Sequence, residues 1–253
     1  MNIDLTGKTA LITGATGQLG RVITICLAEC GADTIIHYMS NKEKAISLKS
    51  KVESLGKKAM IINADITKYD QVMNMKKSVK NQFKNPDIII ANAVIQYKWQ
   101  SILKQRVDDY VSQFESSVMQ NIYLIKAFVP EMIKKNYGRI IGINTECSVQ
   151  NFQNQSAYVA GKRGMDGIYR VLSREIGEHQ ITVNQVAPGW IICDKDRSEI
   201  VKSKNNYEEM VPLKRRGVDR EVANVVAFLS SDLASFITGT FIPVAGGNVM
   251  TGI

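Results

Sequence analysis

No apolar run in this chain reaches the about 18 residues that a membrane-spanning helix requires, so no membrane association is expected. The opening residues, Met1-Asn2-Ile3-Asp4-Leu5, have neither a basic region nor an apolar block. No secretion leader is therefore expected, and the reading places the protein in the cytoplasm. Cysteine is scarce, and the four present, Cys26, Cys30, Cys147 and Cys193, show no metal-ligand spacing. That argues against a metal site and for reduced thiols. No linker or low-complexity stretch divides the chain, so residues 1–253 are expected to form one domain. Aromatic residues do not interleave with the basic ones. The net charge of +8 arises from lysines scattered along amphipathic segments, such as Lys42, Lys44, Lys49, Lys51, Lys57 and Lys58. These read as solvated faces, and no nucleic-acid partner is expected.

What is present is a globular composition, 45% hydrophobic over 253 residues, with enough chain for one large core. Short apolar runs read as buried strands at Thr9–Ile12, Thr34–Tyr38, Lys58–Ile62, Asp87–Ile90, Arg139–Ile143, Ile181–Ala187 and Thr240–Val244. Helical periodicity fills the gaps: from the glycine-rich turn through Cys30, then Lys42–Leu55, Tyr69–Phe83, a long helix over Val107–Lys135, Ser156–Gly177 and Glu221–Leu229. Strands alternating with helices predict a parallel sheet covered on both faces, with right-handed crossovers.

Two local patterns carry chemistry. Thr13-Gly14-Ala15-Thr16-Gly17-Gln18-Leu19-Gly20 lies between the first strand and the first helix. Small residues there admit a pyrophosphate, and the helix start offers free N–H groups. Tyr158-Val159-Ala160-Gly161-Lys162 puts a phenol and an ammonium on one helix face. The cation is expected to lower the tyrosine pKa toward neutrality, which suits a group that gives a proton to a carbonyl oxygen and takes it back. Tyr38 and Lys42 share that spacing and read as ordinary surface, so the spacing alone decides little.

The ordered landmarks decide more. Thr13-Gly14 and Gly20, Asp65, Asn92-Ala93, Asn121, Tyr158 with Lys162, Asn184, Pro188-Gly189 and Gly246-Gly247 together resemble the short-chain dehydrogenase/reductase family along nearly the whole chain. Val211-Pro212-Leu213-Lys214-Arg215-Arg216-Gly217 resembles the subgroup of 3-oxoacyl-carrier-protein reductases and sugar or polyol dehydrogenases. The resemblance implies a doubly wound, Rossmann-type α/β domain of about seven parallel strands, assembled as a tetramer or dimer. It implies hydride transfer between a nicotinamide cofactor and a small carbonyl or secondary alcohol. Tyr158 would be the acid/base, Lys162 its partner and a ligand of the nicotinamide ribose, Asn121 the holder of a relay water, and Thr145 the hydroxyl donor. Gly14, Thr16, Gln18, Leu19, Gly20, Tyr38, Ser40, Asn41, Asp65, Ile66, Asn92, Ala93, Pro188 and Gly189 would line the cofactor site.

The chain also departs from the family pattern. Gln18 replaces the central glycine of the turn, Val94 the glycine of the Asn-Ala-Gly segment, Thr145 a serine, and Cys193 a threonine. Glu146 adjoins Thr145. An acid at the end of the second strand would bond the adenosine ribose and repel a 2′-phosphate. The residue read at that position is Tyr38, and no acid follows before Glu43, which predicts NADP(H) in preference to NAD(H). Related acyl-carrier-protein reductases place arginines where this chain has Asn136 and His179, so small free carbonyls are expected over carrier-bound thioesters. Two alternatives stay open: a 3-oxoacyl-carrier-protein reductase, and a non-catalytic nucleotide-binding or regulatory protein on the same fold.

Overall fold

The structure, a computed structural model, describes residues 2–192, 194 and 206–250. Cys193 and most of the Asp194–Val211 segment, read from the sequence as closing the pocket, lie outside the described residues. The elements run β1 (Thr9–Ile12), α1 (Gln18–Glu29), β2 (Asp33–Tyr38), α2 (Lys42–Ser54), β3 (Ala59–Asn63), α3 (Tyr69–Gln82), β4 (Ile88–Ala91), α4 (Val107–Phe114), α5 (Gln120–Lys135), β5 (Gly138–Ile143), α6 (Ser156–Ile176) and β6 (Ile181–Pro188). After them come β7 (Ile191–Ile192), α7 (Tyr207–Met210), β8 (Gly217–Val218), α8 (Asp219–Ser230) and β9 (Phe241–Val244).

Seven strands form one sheet in the order β3-β2-β1-β4-β5-β6-β9, and every pairing in it is parallel. A parallel sheet buries both faces, so its central strands tend to read as apolar runs rather than alternating. Ile88, Ile89 and Ile90 illustrate this. Ile88 and Ile90 join Ile12 and Ile36 in the core under α1, α2 and α8. Ile89 joins Leu11 and Ile35 under α3, α5 and α6. Burying one such side chain contributes roughly 1.5–3 kcal/mol. The strand order reverses between β1 and β4, and a doubly wound sheet opens its ligand crevice at that point, beyond the carboxyl ends of the strands.

One element departs from the sequence reading. The long helix expected over Val107–Lys135 is broken by a π-helical turn at Glu115–Met119. A π turn leaves carbonyls outside the regular ladder, and two side-chain amides take them. Gln120 Nε2 donates to the Ser116 carbonyl, and Asn121 Nδ2 donates to the Ser117 carbonyl at 2.7 Å. Pro130 lies inside α5, which stays one helix to Lys135.

Candidate active site

The glycine-rich turn is built by its neighbours. Gly14 has φ +59°, a left-handed conformation that glycine adopts without strain, and a Cβ there would lie 2.9 Å from the Ala93 Cα. A Cβ on Gly20 would collide with the Gly14 carbonyl and stand 2.8 Å from Asn92 Nδ2. Asn92 fixes the turn from the β4 side, donating through Nδ2 to the carbonyls of Thr13 at 3.0 Å and Gly14 at 3.2 Å. From the β2 side His37 does the same. Its Nδ1 accepts the Gly14 N–H at 3.1 Å, so Nε2 carries the proton and donates to the Ala64 carbonyl at 2.9 Å. Burial pushes the His37 pKa down, against the raising effects of the Ala64 carbonyl and Asp65. The imidazole is neutral and structural.

Beyond this turn lies a cavity of about 700 Å³. Gly14, Thr16, Gln18, Leu19, Gly20, Ser40, Asp65, Ile66, Asn92, Ala93, Pro188 and Gly189 all line it, as do Thr145, Tyr158 and Lys162. It runs from Met39, Ser40 and Asp65 past the start of α1 to Tyr158 and Lys162. The first N–H groups of α1 have no partners within the helix, and no acidic side chain stands in its first turn, so the helix start suits an anion. Asp65 ends in an Asx turn, its Oδ1 accepting the Thr67 N–H at 2.9 Å and hydroxyl at 2.7 Å. These features fit a dinucleotide: an open cradle at the helix start, an adenosine end at Met39 and Asp65, and a reactive end at Tyr158.

At the reactive end, Tyr158 and Lys162 stand one turn apart on α6, with Lys162 Nζ 5.8 Å from the centre of the Tyr158 ring. Lys162 is 3% exposed, and its Nζ donates to the Ile143 carbonyl at 2.6 Å. Burial lowers its pKa to about 8. Burial pushes the Tyr158 phenol up, with Cys147 and Tyr97 adding to the rise, while a hydrogen bond with Thr145 pulls it down. This corrects the sequence expectation that the lysine brings the tyrosine toward neutrality: burial is the largest influence on the phenol and keeps it protonated, while the lysine's direct bond goes to the Ile143 carbonyl. Thr145 follows β5, its Oγ1 accepting the Cys147 N–H at 3.2 Å and its side chain facing Tyr158. Tyr97 accepts the backbone N–H of Tyr158 at 2.7 Å, and the Trp99 ring stacks on Tyr158 at 6.1 Å.

Three residues read from the sequence as part of the site are not among those lining the cavity. Asn121 is 1% exposed; besides the Ser117 carbonyl, it holds the Tyr169 hydroxyl, accepting it at 2.8 Å. The turn of π helix brings Ser116 to the cavity instead. Tyr38 is 8% exposed and packs into the core under α1 and α2. Asn41 caps α2, its side chain accepting the Lys44 N–H at 2.9 Å. Successive side chains of a strand point to opposite faces, so His37 and Met39, not Tyr38, face the cavity. That alternation was the available signal. Gly17 of the turn lines the cavity too, and Thr67, Ile95, Gln96 and Asn144 line it without having been singled out. Val94, which stands in place of the glycine of the Asn-Ala-Gly segment, lines it as well. Its segment is held by Gln120, which donates to the Ala93 carbonyl at 2.7 Å, and by Gln113, which donates to the Ile95 carbonyl at 2.6 Å.

A family model described as enoyl-(acyl carrier protein) reductase matches residues 14–248. A 3-oxoacyl-[acyl-carrier-protein] reductase of Staphylococcus epidermidis is 34% identical over 243 residues, covering 96% of this chain and 99% of that protein. The protein of the same name from Rickettsia conorii is 36% identical over 253 residues, covering 98% of this chain and 99% of its own. Among solved structures, a variant of a Serratia marcescens short-chain dehydrogenase/reductase is 26% identical with a TM-score of 0.89, over 96% of this chain and 98% of that one. A candidate gluconate dehydrogenase of Agrobacterium tumefaciens, 24% identical over 99% of this chain and 100% of that one, has a TM-score of 0.92 and shares the fold.

Proposed function

The chain belongs to the short-chain dehydrogenase/reductase family and is an oxidoreductase interconverting a carbonyl and a secondary alcohol; from that premise we propose that it reduces small free carbonyls with NADPH. The observation that carries the reading is the convergence of Tyr158, Thr145 and Lys162 at one end of a cavity that also runs past the glycine-rich turn at the start of α1. Gly14, Thr16, Gln18, Leu19 and Gly20 would hold the pyrophosphate at the start of α1, with Ser40, Asp65 and Ile66 at the adenosine end. Asn92, Ala93, Pro188, Gly189 and Lys162 would line the nicotinamide end. The cofactor, when bound, supplies a hydride to the carbonyl carbon.

The protein's own part is the proton and the charge. As hydride arrives, the carbonyl oxygen becomes basic. The phenol of Tyr158, kept protonated by burial, gives it a proton. Thr145, beside that phenol, donates a hydrogen bond to the developing oxyanion. A buried ammonium on Lys162 stabilises the phenolate left behind. A phenol held neutral suits the reduction direction.

Preference for NADP(H) over NAD(H) rests on the end of β2. Met39 faces the cavity there, so that position offers no carboxylate to oppose a 2′-phosphate. We assign the protein to the cytoplasm, as one domain over residues 1–253. A homo-oligomer, tetramer or dimer, is the proposed assembly, because Val107, Val111 and Phe114 leave an exposed apolar stripe on α4. No helix of the described residues is long and apolar enough to cross a membrane.

A second reading, reduction of 3-oxoacyl groups on a carrier protein, is favoured by the names of the relatives above. Against it stand Asn136 and His179, at positions where arginines would meet an acidic carrier. Assaying NADPH oxidation with a free 3-keto ester and with acetoacetyl-carrier protein separates the two. The first reading expects the free ester to be the better substrate, and efficient turnover of the carrier-bound thioester alone would replace it by the second.

A further inference from the structure

Glu146 immediately follows Thr145 and turns away from the cavity. It is 2% exposed, and neutral donors hold its carboxylate. Oε1 accepts the Tyr207 hydroxyl at 2.8 Å, and Oε2 accepts Asn248 Nδ2 at 2.9 Å. The Tyr207 hydroxyl in turn accepts the Trp190 N–H at 2.9 Å. The Trp190 ring meets the Tyr207 ring edge-on at 5.6 Å. Gly189 leaves room for this hub, because a Cβ there would collide with the Tyr207 hydroxyl and lie 3.1 Å from the Ala245 Cα. A single carboxylate therefore joins the turn that carries Thr145, the Gly189–Trp190 turn after β6, helix α7 and the C-terminal residues around Asn248.

We propose that Glu146 is a positioning residue for hydride and proton transfer. Through its own backbone it sets Thr145, and through Tyr207 it sets the Pro188–Gly189 wall of the nicotinamide end. The proposal rests on the reading above, that the cavity binds NADP(H) with its nicotinamide toward Tyr158. The adenosine end is built by other residues, Met39, Ser40 and Asp65, none of which the carboxylate touches. Its influence is accordingly confined to one end of the cavity. Chemistry is sensitive to such placement: a shift of about 1 Å at a reacting centre costs on the order of 10²-fold in rate.

An ionised carboxylate accepts both donors at once. An amide of the same shape has one acceptor oxygen and presents its NH₂ to the other donor. Glu146→Gln therefore keeps the volume and loses one of the two bonds. Tyr207→Phe keeps the ring, and removes the hydroxyl that links the Trp190 N–H to Glu146.

The test measures four quantities for wild type, Glu146→Gln, Tyr207→Phe and the double variant. These are kcat and KM for reduction of a carbonyl that wild type turns over, dissociation constants for NADPH and for 2′,5′-ADP, and the thermal midpoint. For each single variant the expected result is a fall in kcat on the order of 10-fold to 10²-fold, weaker NADPH binding, and unchanged binding of 2′,5′-ADP, which lacks the nicotinamide. The double variant should be no worse than the worse single one, because both changes act along one path. Wild-type kcat in Glu146→Gln would overturn the inference. So would additive effects, or a loss of 2′,5′-ADP binding that matches the loss of rate. A wild-type chain that neither binds NADPH nor reduces any carbonyl would instead remove the reading on which the inference rests.

Discussion

The ammonium of Lys162 stands 5.8 Å from the centre of the Tyr158 ring, one helical turn along α6. Its direct bond, however, goes to the Ile143 carbonyl at 2.6 Å. Burial governs both groups: it lowers the lysine to about 8 and raises the tyrosine. The consequences for pH follow from those directions. Tyr158 stays protonated throughout the neutral range and does not limit reduction there. Lys162 loses its charge as pH rises through about 8, and with it the stabilisation of the phenolate formed in the reaction. The rate of carbonyl reduction at saturating substrate is expected to be flat up to about pH 8 and to fall above it. A rate that rises through that window would contradict the assignment.

The same lysine makes a stability prediction. Its pKa drops from 10.5 to about 8 on folding, so between those values the unfolded chain binds more protons, and stability rises with pH. Below about pH 8 the fold carries the full cost of a buried charge. Lys162→Met removes that cost and is expected to raise stability by about 1–3 kcal/mol near neutral pH, while abolishing turnover. Denaturant melts of wild type and variant at pH 7 and pH 10 test this, with the gap narrowing at the higher pH. An equally destabilised variant at both values would contradict it.

Thr145 is tested by shape. Thr145→Ser keeps the hydroxyl and is expected to retain activity. Thr145→Val keeps the branched outline and removes only the hydroxyl, and should lose on the order of 10²–10³ in kcat. Steady-state assays decide, and a fully active valine variant would make Thr145 a packing residue. Glu146 then does not inherit the role, because both its oxygens already accept bonds away from the cavity.

Asn121 is predicted to matter for the fold rather than the chemistry. Its amide holds the Ser117 carbonyl freed by the π turn, and its oxygen accepts the Tyr169 hydroxyl. Asn121→Ala leaves both buried groups unpaired, at a cost of about 1–3 kcal/mol for each. Thermal melts should show the loss. Turnover measured well below the lowered midpoint should stay near that of wild type, whereas a folded but inactive variant would return Asn121 to the mechanism.

These residues also show how far the sequence could be read. The apolar runs of β1 and β4 marked buried strands, and all of their residues are buried. The glycine turn and the Tyr158–Lys162 spacing located the middle of the cavity and one of its ends. The setting of Asn121 was not legible because a π turn leaves the apolar periodicity of the helix intact. Two side-chain amides, not a propensity, sustain that turn. The end of β2 itself was read correctly at Tyr38, but the position facing the cofactor was read one residue early, and in a strand one residue exchanges the faces. That shift put Tyr38 where Met39 belongs. The Glu146 network was invisible because its members lie 61 and 102 positions apart in the chain.

Met39 gives the cofactor reading its own test. Met39→Asp places a carboxylate at the cavity end that would face a 2′-phosphate. It is expected to shift the ratio of NADPH to NADH affinity toward NADH by about tenfold or more, the effect of roughly 1.4 kcal/mol. Fluorescence titration of both cofactors measures it. An unchanged ratio would move the adenosine end elsewhere.

The most direct measurement follows the hydride itself. Wild type and Tyr158→Phe are incubated with NADPH deuterated at C4 of the nicotinamide and a panel of small ketones, and the alcohol is examined by mass spectrometry and NMR. The account predicts deuterium on the carbinol carbon of the wild-type product. Tyr158→Phe, which keeps the ring and loses only the hydroxyl, should bind NADPH as wild type does and turn over on the order of 10²–10⁴-fold more slowly. A wild-type protein that binds NADPH and never transfers the label, or a Tyr158→Phe variant as fast as wild type, would contradict it.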